Sequence, residues 1–127
     1  MAGGSAGIPG VHAENGARIR LVAFDLDGVI YRGSLLLPHV LEALADLERR
    51  GLLLRFVTNN STKHRREVAE ILRSLGVSAE PGQILSSAAA TAGWLRAHSA
   101  RTDGAARVLY VGERGLGEEL SDAGFKA

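Results

Sequence analysis

Residues 19–28, with the sequence IRLVAFDLDG, join a short apolar run to two aspartates and a glycine. A nearly continuous apolar run of this length is typical of a strand buried on both faces, as in a parallel sheet. Two further runs have the same character: residues 52–57 (LLLRFV), which lead into the polar residues 58–62 (TNNST), and residues 107–111 (RVLYV). The three runs predict three short strands of one sheet.

Four helices are expected between and after these strands, and apolar residues spaced three and four apart predict the first two of them. Ser61 or Thr62 is a candidate N-cap for the second helix, and Ser86 or Ser87 is one for the third. The last helix is expected over residues 116–123. This alternation of strands and helices indicates crossover connections on a parallel sheet, so the predicted fold class is α/β.

The composition excludes several classes of protein. The chain has 127 residues, 15 Lys and Arg against 14 Asp and Glu, and no cysteine. A net charge of +1 offers no electrostatic case for nucleic acid or a membrane surface as partner. Without cysteine there is no disulfide, zinc–thiolate site or thiol nucleophile. No run approaches the ~18 apolar residues of a membrane span, and no secretory signal is visible, so we expect a cytoplasmic protein.

Residues 1–17 differ from the rest of the chain. They hold five glycines and show no hydrophobic period, which predicts a disordered tail. The expected organisation is therefore a disordered tail over residues 1–17 and one folded unit over residues 18–127.

Polar side chains follow the first two predicted strands, where open parallel sheets bind their ligands. Asp25 and Asp27 repel each other unless a cation or a shared proton lies between them. Magnesium accepts such hard oxygen ligands together with phosphate, and Gly28 allows the sharp turn that points nearby amides at a phosphate. The alternative is that D-x-D-G is an ordinary turn after a strand.

The second polar cluster offers a hydroxyl and two carboxamides. Thr58 directly follows its strand, as Asp25 follows the first. Its hydroxyl is therefore a candidate hydrogen-bond donor to a phosphate oxygen. Asn59 and Asn60 come next, and amides at the start of the following helix add to the candidate site. The alternative for this cluster is helix capping.

These two clusters carry a family resemblance. Residues 22–33 (VAFDLDGVIYRG) resemble the first motif of the haloacid dehalogenase (HAD) superfamily, and residues 57–63 (VTNNSTK) resemble its second motif. Residues 108–120 are similar to the third strand and helix of the branch that contains 4-nitrophenylphosphatases, phosphoglycolate phosphatases and sugar phosphatases, which carry a class-II cap. The resemblance implies a three-layer Rossmann-like parallel sheet with flanking helices.

The resemblance also implies a Mg²⁺-dependent phosphomonoesterase acting on a small phosphorylated metabolite. Asp25 would be the nucleophile and a metal ligand, and Asp27 would be the general acid and base, with its backbone carbonyl as a second metal ligand. Thr58 and Asn59 would bind the phosphoryl group, and Asn60 would shape their loop. Residues 31–37 would correspond to the flap that closes over the site in these enzymes.

The chain departs from the family pattern at two points. The pattern also contains a lysine, and an acidic pair at the end of a fourth strand, which in this branch follow a cap inserted after the third strand unit. Neither Lys126 nor Asp122 fits these positions. We therefore expect residues 18–127 to form the N-terminal part of the core, with the first strand as a bare edge, and to be weakly stable and nearly inactive alone.

Two other interpretations stay open at this stage. In the first, the chain is a truncated, non-catalytic phosphate-binding or interaction protein with a half-core. In the second, it is a compact α/β phosphate- or nucleotide-binding domain. Sugar phosphates, phosphoglycolate, nucleotides and pyridoxal phosphate all remain possible substrates. The oligomeric state is unknown.

Two other features are predicted to have no catalytic role. All four histidines, His12, His39, His64 and His98, are expected to be solvated. Residues 112–117 (GERGLG) resemble a dinucleotide-binding loop only loosely, because their glycines have the wrong spacing.

Overall fold

The computed structural model describes residues 18–99 and 106–127. Its strands and helices are, in chain order, β1 (Leu21–Asp25), β2 (Tyr31–Arg32), β3 (Leu35–Leu36), α1 (Val40–Arg49), β4 (Leu53–Thr58), α2 (Arg65–Ser74), a short 3₁₀ turn (Pro81–Gln83), β5 (Ile84–Ser86), α3 (Ser87–His98) and α4 (Arg114–Asp122). The predicted tail, residues 1–17, lies outside the described residues, as does His12.

A parallel sheet with the strand order β1-β4-β5 organises the fold, while β2 and β3 form a separate antiparallel hairpin. Each parallel pair is joined through a helix, since α1 connects β1 to β4 and α2 connects β4 to β5. The predicted α/β class, with a parallel sheet and flanking helices, is confirmed. Among the helices of the described ranges, none is long and apolar enough to cross a membrane.

The main core lies on one face of this sheet. Leu54 and Phe56 of β4 point into it and meet Leu44 of α1 and Leu72 of α2. Phe56 and Leu72 are completely buried, and each such side chain contributes about 1.5–3 kcal/mol by leaving water. The apolar stripe of each helix therefore holds it against the sheet.

The opposite face of the sheet is open over the described part of the chain. Leu21, Leu53, Val57 and Leu85 all point to this face, and each remains 37–55% exposed. The expectation that the strands are buried on both faces is therefore wrong for β1 and β4. The expected edge position of β1 agrees with the structure, because β4 is its one strand neighbour within these residues.

The helix starts show one correct and one wrong capping prediction. Ser86 caps α3, because its hydroxyl accepts a hydrogen bond of 3.0 Å from the Ala89 amide. The second helix begins at Arg65 rather than near Ser61 or Thr62, and its N-cap is His64. The His64 ring nitrogen Nδ1 accepts from the Arg66 amide at 3.1 Å, which replaces the expected hydroxyl.

The third predicted strand, residues 107–111, is wrong. Arg107 forms an isolated parallel bridge to Lys126, but Leu109 and Val111 are 96% exposed and pair with no described strand. An apolar run forms a strand only where a neighbouring strand satisfies its backbone groups, and here the bridge satisfies one position. The third strand of the sheet is instead β5, whose three residues are too few for a recognisable pattern.

Candidate active site

Three parallel strands end at one edge of the sheet. β1 ends at Asp25, which is paired with Val57, and β4 ends one residue later at Thr58, which is paired with Ser86 of β5. The structure thus brings together the two polar clusters that the sequence predicts at strand ends. Their order in space follows from the parallel register alone.

The D-x-D-G segment forms a tight turn around a buried leucine. Leu26 is completely buried, and its amide donates a hydrogen bond of 2.8 Å to Asp25 Oδ1. The Leu26 carbonyl accepts from the Ile30 amide at 2.9 Å, which closes the turn. Gly28 has φ of +80°, a conformation that a residue with a Cβ adopts only with strain. Both aspartates consequently flank an anchored residue and remain exposed.

The pKa of Tyr31 reflects the negative charge of this turn. Burial, and then the negative charges of Asp27 and Asp25, raise the pKa of the Tyr31 phenol above its usual value. Neither carboxylate forms an ion pair with an arginine, lysine or histidine of the described ranges. The turn therefore places two uncompensated carboxylates beside one phenol.

The predicted flap is a short hairpin. Tyr31 pairs with Leu36 and Arg32 with Leu35, and Gly33 at φ of +59° makes the turn between them. The hairpin begins next to the turn, because Asp27 forms a bridge with Tyr31. Residues 31–37 thus stand beside the candidate carboxylates, whereas closure over the site stays a prediction.

The loop between β4 and α2, residues 59–64, has an internal hydrogen-bond network. Thr58 Oγ1 accepts from the Asn60 amide at 3.1 Å. Asn60 Oδ1 accepts from both the amide and the hydroxyl of Thr62, at 2.8 and 2.7 Å. The Ser87 hydroxyl donates to the Asn59 carbonyl at 2.8 Å, which ties the loop to α3. Hydrogen bonds within the chain therefore hold the conformation of this loop.

His64 and Glu119 show what the sequence did not reveal. His64 is 4% exposed, so its prediction as a solvated residue is wrong, whereas His39 and His98 are exposed as predicted. Its Nε2 lies 3.1 Å from Asp122 Oδ2, and Nδ1 accepts from an amide, so Nε2 is the donor. Glu119 is completely buried and binds Arg65. No local sequence pattern predicts these pairs, because the two residues of each pair lie 54 to 58 positions apart.

A polar cavity of about 460 Å³ lies between α2, α3 and α4, away from the D-x-D-G turn. It is lined by Arg65 and Arg66, which pair with Glu119 and Asp122, and by Arg96. Most of its charges are thus already compensated within the chain.

The two aspartates offer the type of ligand atom that a magnesium ion binds. Asp25 and Asp27 supply exposed oxygen ligands without a competing cation, which is the chemistry Mg²⁺ takes together with water and phosphate. No group of three or more His, Asp or Glu side chains suited to a metal occurs in residues 18–99 and 106–127. The candidate site in these residues accordingly offers two carboxylates.

Comparison with known proteins agrees with this geometry. A family model described as haloacid dehalogenase-like hydrolase matches residues 22–126. Phosphoglycolate phosphatase 2 of Arabidopsis thaliana is 43% identical over 103 residues, which are 80% of this chain and 34% of that protein. Human glycerol-3-phosphate phosphatase is 39% identical over 113 residues, 85% of this chain and 35% of that protein.

A solved structure is similar over the same region. A glycerol phosphate phosphatase from Mycobacterium tuberculosis, in complex with magnesium, superposes with a TM-score of 0.71 at 31% identity. The match covers 84% of this chain and 30% of that one, and the chain spans about a third of the length of the curated relatives it matches. By its family match over residues 22–126, the chain belongs to the haloacid dehalogenase-like hydrolases.

Proposed function

We propose that residues 18–127 carry the nucleophile and the phosphate loop of a phosphomonoesterase. The observation that carries the proposal is that Asp25 and Thr58 are the last residues of neighbouring parallel strands, within a region that matches the hydrolase family. The named relatives are phosphatases of phosphoglycolate and of glycerol phosphate. A small phosphorylated metabolite is accordingly the proposed substrate class, and a cytoplasmic location stays a prediction.

In the proposed mechanism the Asp25 carboxylate attacks phosphorus and the bond to the leaving oxygen breaks. Asp27 gives its proton to that oxygen, so that an alcohol leaves and an aspartyl-phosphate remains on Asp25. Asp27 then takes a proton from water, whose oxygen attacks the same phosphorus. Inorganic phosphate leaves and the Asp25 carboxylate is restored.

The loop after β4 is proposed to bind the phosphoryl oxygens. The Thr58 hydroxyl and the Asn59 amide would donate to them, while Asn60 keeps the loop in shape through its bond to Thr62. Gly28 would let the amides of the turn face the same group. Donors that are ordered before the substrate arrives cost no reorganisation during the reaction.

The Asp25 carboxylate and the Asp27 backbone carbonyl are the proposed ligands of Mg²⁺. The ion would supply positive charge against the two carboxylates and the phosphate when bound. The solved relative that holds magnesium supports this choice of ion. We also propose that the 127-residue chain binds phosphate but turns over slowly, because neither Lys126 nor Asp122 fits the lysine or the acidic pair of the family pattern.

Hydrolysis of p-nitrophenyl phosphate tests the proposed roles. The chain should show slow turnover that depends on Mg²⁺, and Asp25→Asn should abolish it because the nucleophile is lost. Asp27→Asn should lower it by about 100-fold or more, since general acid–base catalysis is lost.

Asp46→Asn is the matched control, because this carboxylate lies on α1 and pairs with Arg49 and Arg50. It should leave turnover unchanged. Turnover that survives in Asp25→Asn would refute the assigned nucleophile. Fast turnover by the wild-type chain would refute the expectation of low activity, and phosphate binding without any turnover would favour the non-catalytic alternative.

A further inference from the structure

Helix α4 contacts the 59–64 loop and the residue after it through two of its residues. The Gly115 amide donates a hydrogen bond of 3.1 Å to the Thr62 carbonyl. One turn later, the Glu119 carboxylate accepts from the Arg65 amide at 3.0 Å. Both contacts join residues that are more than 50 positions apart in the sequence.

Gly115 lies against the loop backbone itself. A Cβ added at this position would come within 2.6 Å of the Lys63 nitrogen and 2.7 Å of the Lys63 Cα, closer than real Cβ atoms approach other atoms. The obstacle is backbone rather than a flexible side chain, so an alanine here must move either the helix or the loop. The glycine therefore permits the contact with Thr62.

Glu119 fixes the loop at the start of α2. It is completely buried, and besides the Arg65 amide it accepts from Arg65 Nε at 2.9 Å and from a second guanidinium nitrogen. In the described residues, every buried side-chain nitrogen or oxygen has a hydrogen-bond partner. Moving α4 would leave a buried carboxylate without its partners, which is costly.

A continuous path of hydrogen bonds connects α4 to the candidate phosphate site. Gly115 donates to the Thr62 carbonyl, Thr62 donates to Asn60 Oδ1, and the Asn60 amide donates to Thr58 Oγ1. The conformation of the loop at Thr58 and Asn60 is thus set in part by where α4 lies.

We propose that Gly115 and Glu119 are positioning residues for the phosphate site, acting through the 59–64 loop rather than touching the substrate. The proposal rests on the phosphate role of this loop given under Proposed function. It assigns a role to Gly115, one residue of the 112–117 stretch that loosely resembles a dinucleotide-binding loop.

The test compares three glycine variants of the full 127-residue chain. Gly115→Ala should increase amide hydrogen exchange at Asn60 and Thr62 and weaken the binding of inorganic phosphate, measured in Mg²⁺ by NMR, by about tenfold or more. Gly93→Ala is the first control, because a Cβ there meets no atom within 4 Å. It should change neither quantity.

Gly117→Ala is the second control, since its Cβ would come within 2.7 Å of the Tyr110 ring, and the nearest atoms it would meet all belong to Tyr110 rather than to the loop. It disturbs the same helix, so it reports any general loss of stability. At equal loss of thermal stability, Gly117→Ala should keep wild-type phosphate affinity while Gly115→Ala loses it. Equal loss of affinity in both variants would overturn the proposal, as would wild-type exchange and affinity in Gly115→Ala.

Glu119 provides a second route if Gly115→Ala fails to fold. Glu119→Gln keeps an oxygen that can accept from the Arg65 amide, whereas Glu119→Ala removes it. Loop exchange should rise in the order wild type, Gln, Ala, and an unchanged exchange rate in Glu119→Ala would overturn the proposal. Amide exchange is measured without phosphate and therefore tests the role of α4 independently of phosphate binding. Failure of the wild-type chain to bind phosphate would count against the proposed function instead.

Discussion

Tyr31 is the side chain whose titration reports on both candidate carboxylates. Burial, Asp27 and Asp25 all raise the pKa of its phenol, in that order of size. Asp27→Asn removes a negative charge that opposes phenolate formation, so we predict that it lowers the Tyr31 pKa, and that Asp25→Asn lowers it less. Burial remains in both variants, and the pKa should therefore stay above the usual tyrosine value.

Ultraviolet absorbance of the phenolate measures this shift without magnesium. The chain has two tyrosines, so the titration is carried out in a Tyr110→Phe background. Asp46→Asn is the control that should leave the titration unchanged. An Asp27→Asn variant with the wild-type Tyr31 pKa would contradict the placement of the two aspartates beside the phenol.

Single residues differ in how well the sequence predicts their position. Asp25 and Thr58 are predictable, because each directly follows an apolar run and parallel strands end at one edge. His64 and Glu119 are not, since their burial depends on an interface between α2 and α4 that no local pattern encodes. Gly115 is visible as a glycine, but its purpose appears only when Lys63 is found against it.

At the scale of elements, the buried Arg65–Glu119 pair between α2 and α4 makes the stability of the fold depend on pH. Burial raises the pKa of Glu119, but hydrogen bonds from the Arg65 side chain and amide, together with the charges of Arg65 and His64, outweigh it and leave the pKa below its ordinary value. Because the folded-state pKa is lowered, the pair stabilises the fold above the ordinary glutamate pKa. That contribution is lost as the pH falls through the lowered value.

We predict that Glu119→Gln lowers the free energy of unfolding by about 3 kcal/mol at neutral pH, since a buried ion pair loses one partner. The lower part of the usual range is expected because the Arg65 side chain is 35% exposed and water can solvate it. The variant should also lose less stability than wild type between about pH 5 and pH 3.

Urea unfolding at a series of pH values measures both effects. Glu118→Gln is the matched control, because Glu118 is on the same helix but is partly exposed and pairs with Arg114 one turn away. It should keep the acid dependence of the wild-type chain. An equally steep acid dependence in Glu119→Gln would show that this pair does not control stability at low pH.

Helices of this chain are easier to predict than its strands, for a physical reason. A helix satisfies its backbone hydrogen bonds within itself, so apolar spacing is sufficient to locate α1 and α2. A strand needs a partner: residues 107–111 have the composition of a strand but not the neighbour, whereas β5 has the neighbour but only three residues.

At the scale of the whole molecule, the sheet separates a closed face from an open one. The closed face holds the core against α1 and α2, while Leu21, Leu53, Val57 and Leu85 leave an apolar surface over the described part of the chain. The alternating order of elements predicts the parallel sheet, but not which of its faces is covered.

The central claim is that the ends of β1 and β4 form a phosphoryl-binding site. Titration of the isotope-labelled chain with inorganic phosphate in the presence of Mg²⁺, followed by amide NMR, tests it most directly. We predict that the largest shifts fall at Gly28 and at Thr58 to Asn60, and that Asp25→Asn weakens the Mg²⁺ dependence of binding. Shifts centred instead on Arg65, Arg66 and Arg96 in the cavity between α2, α3 and α4, or no shifts at all, would contradict the claim.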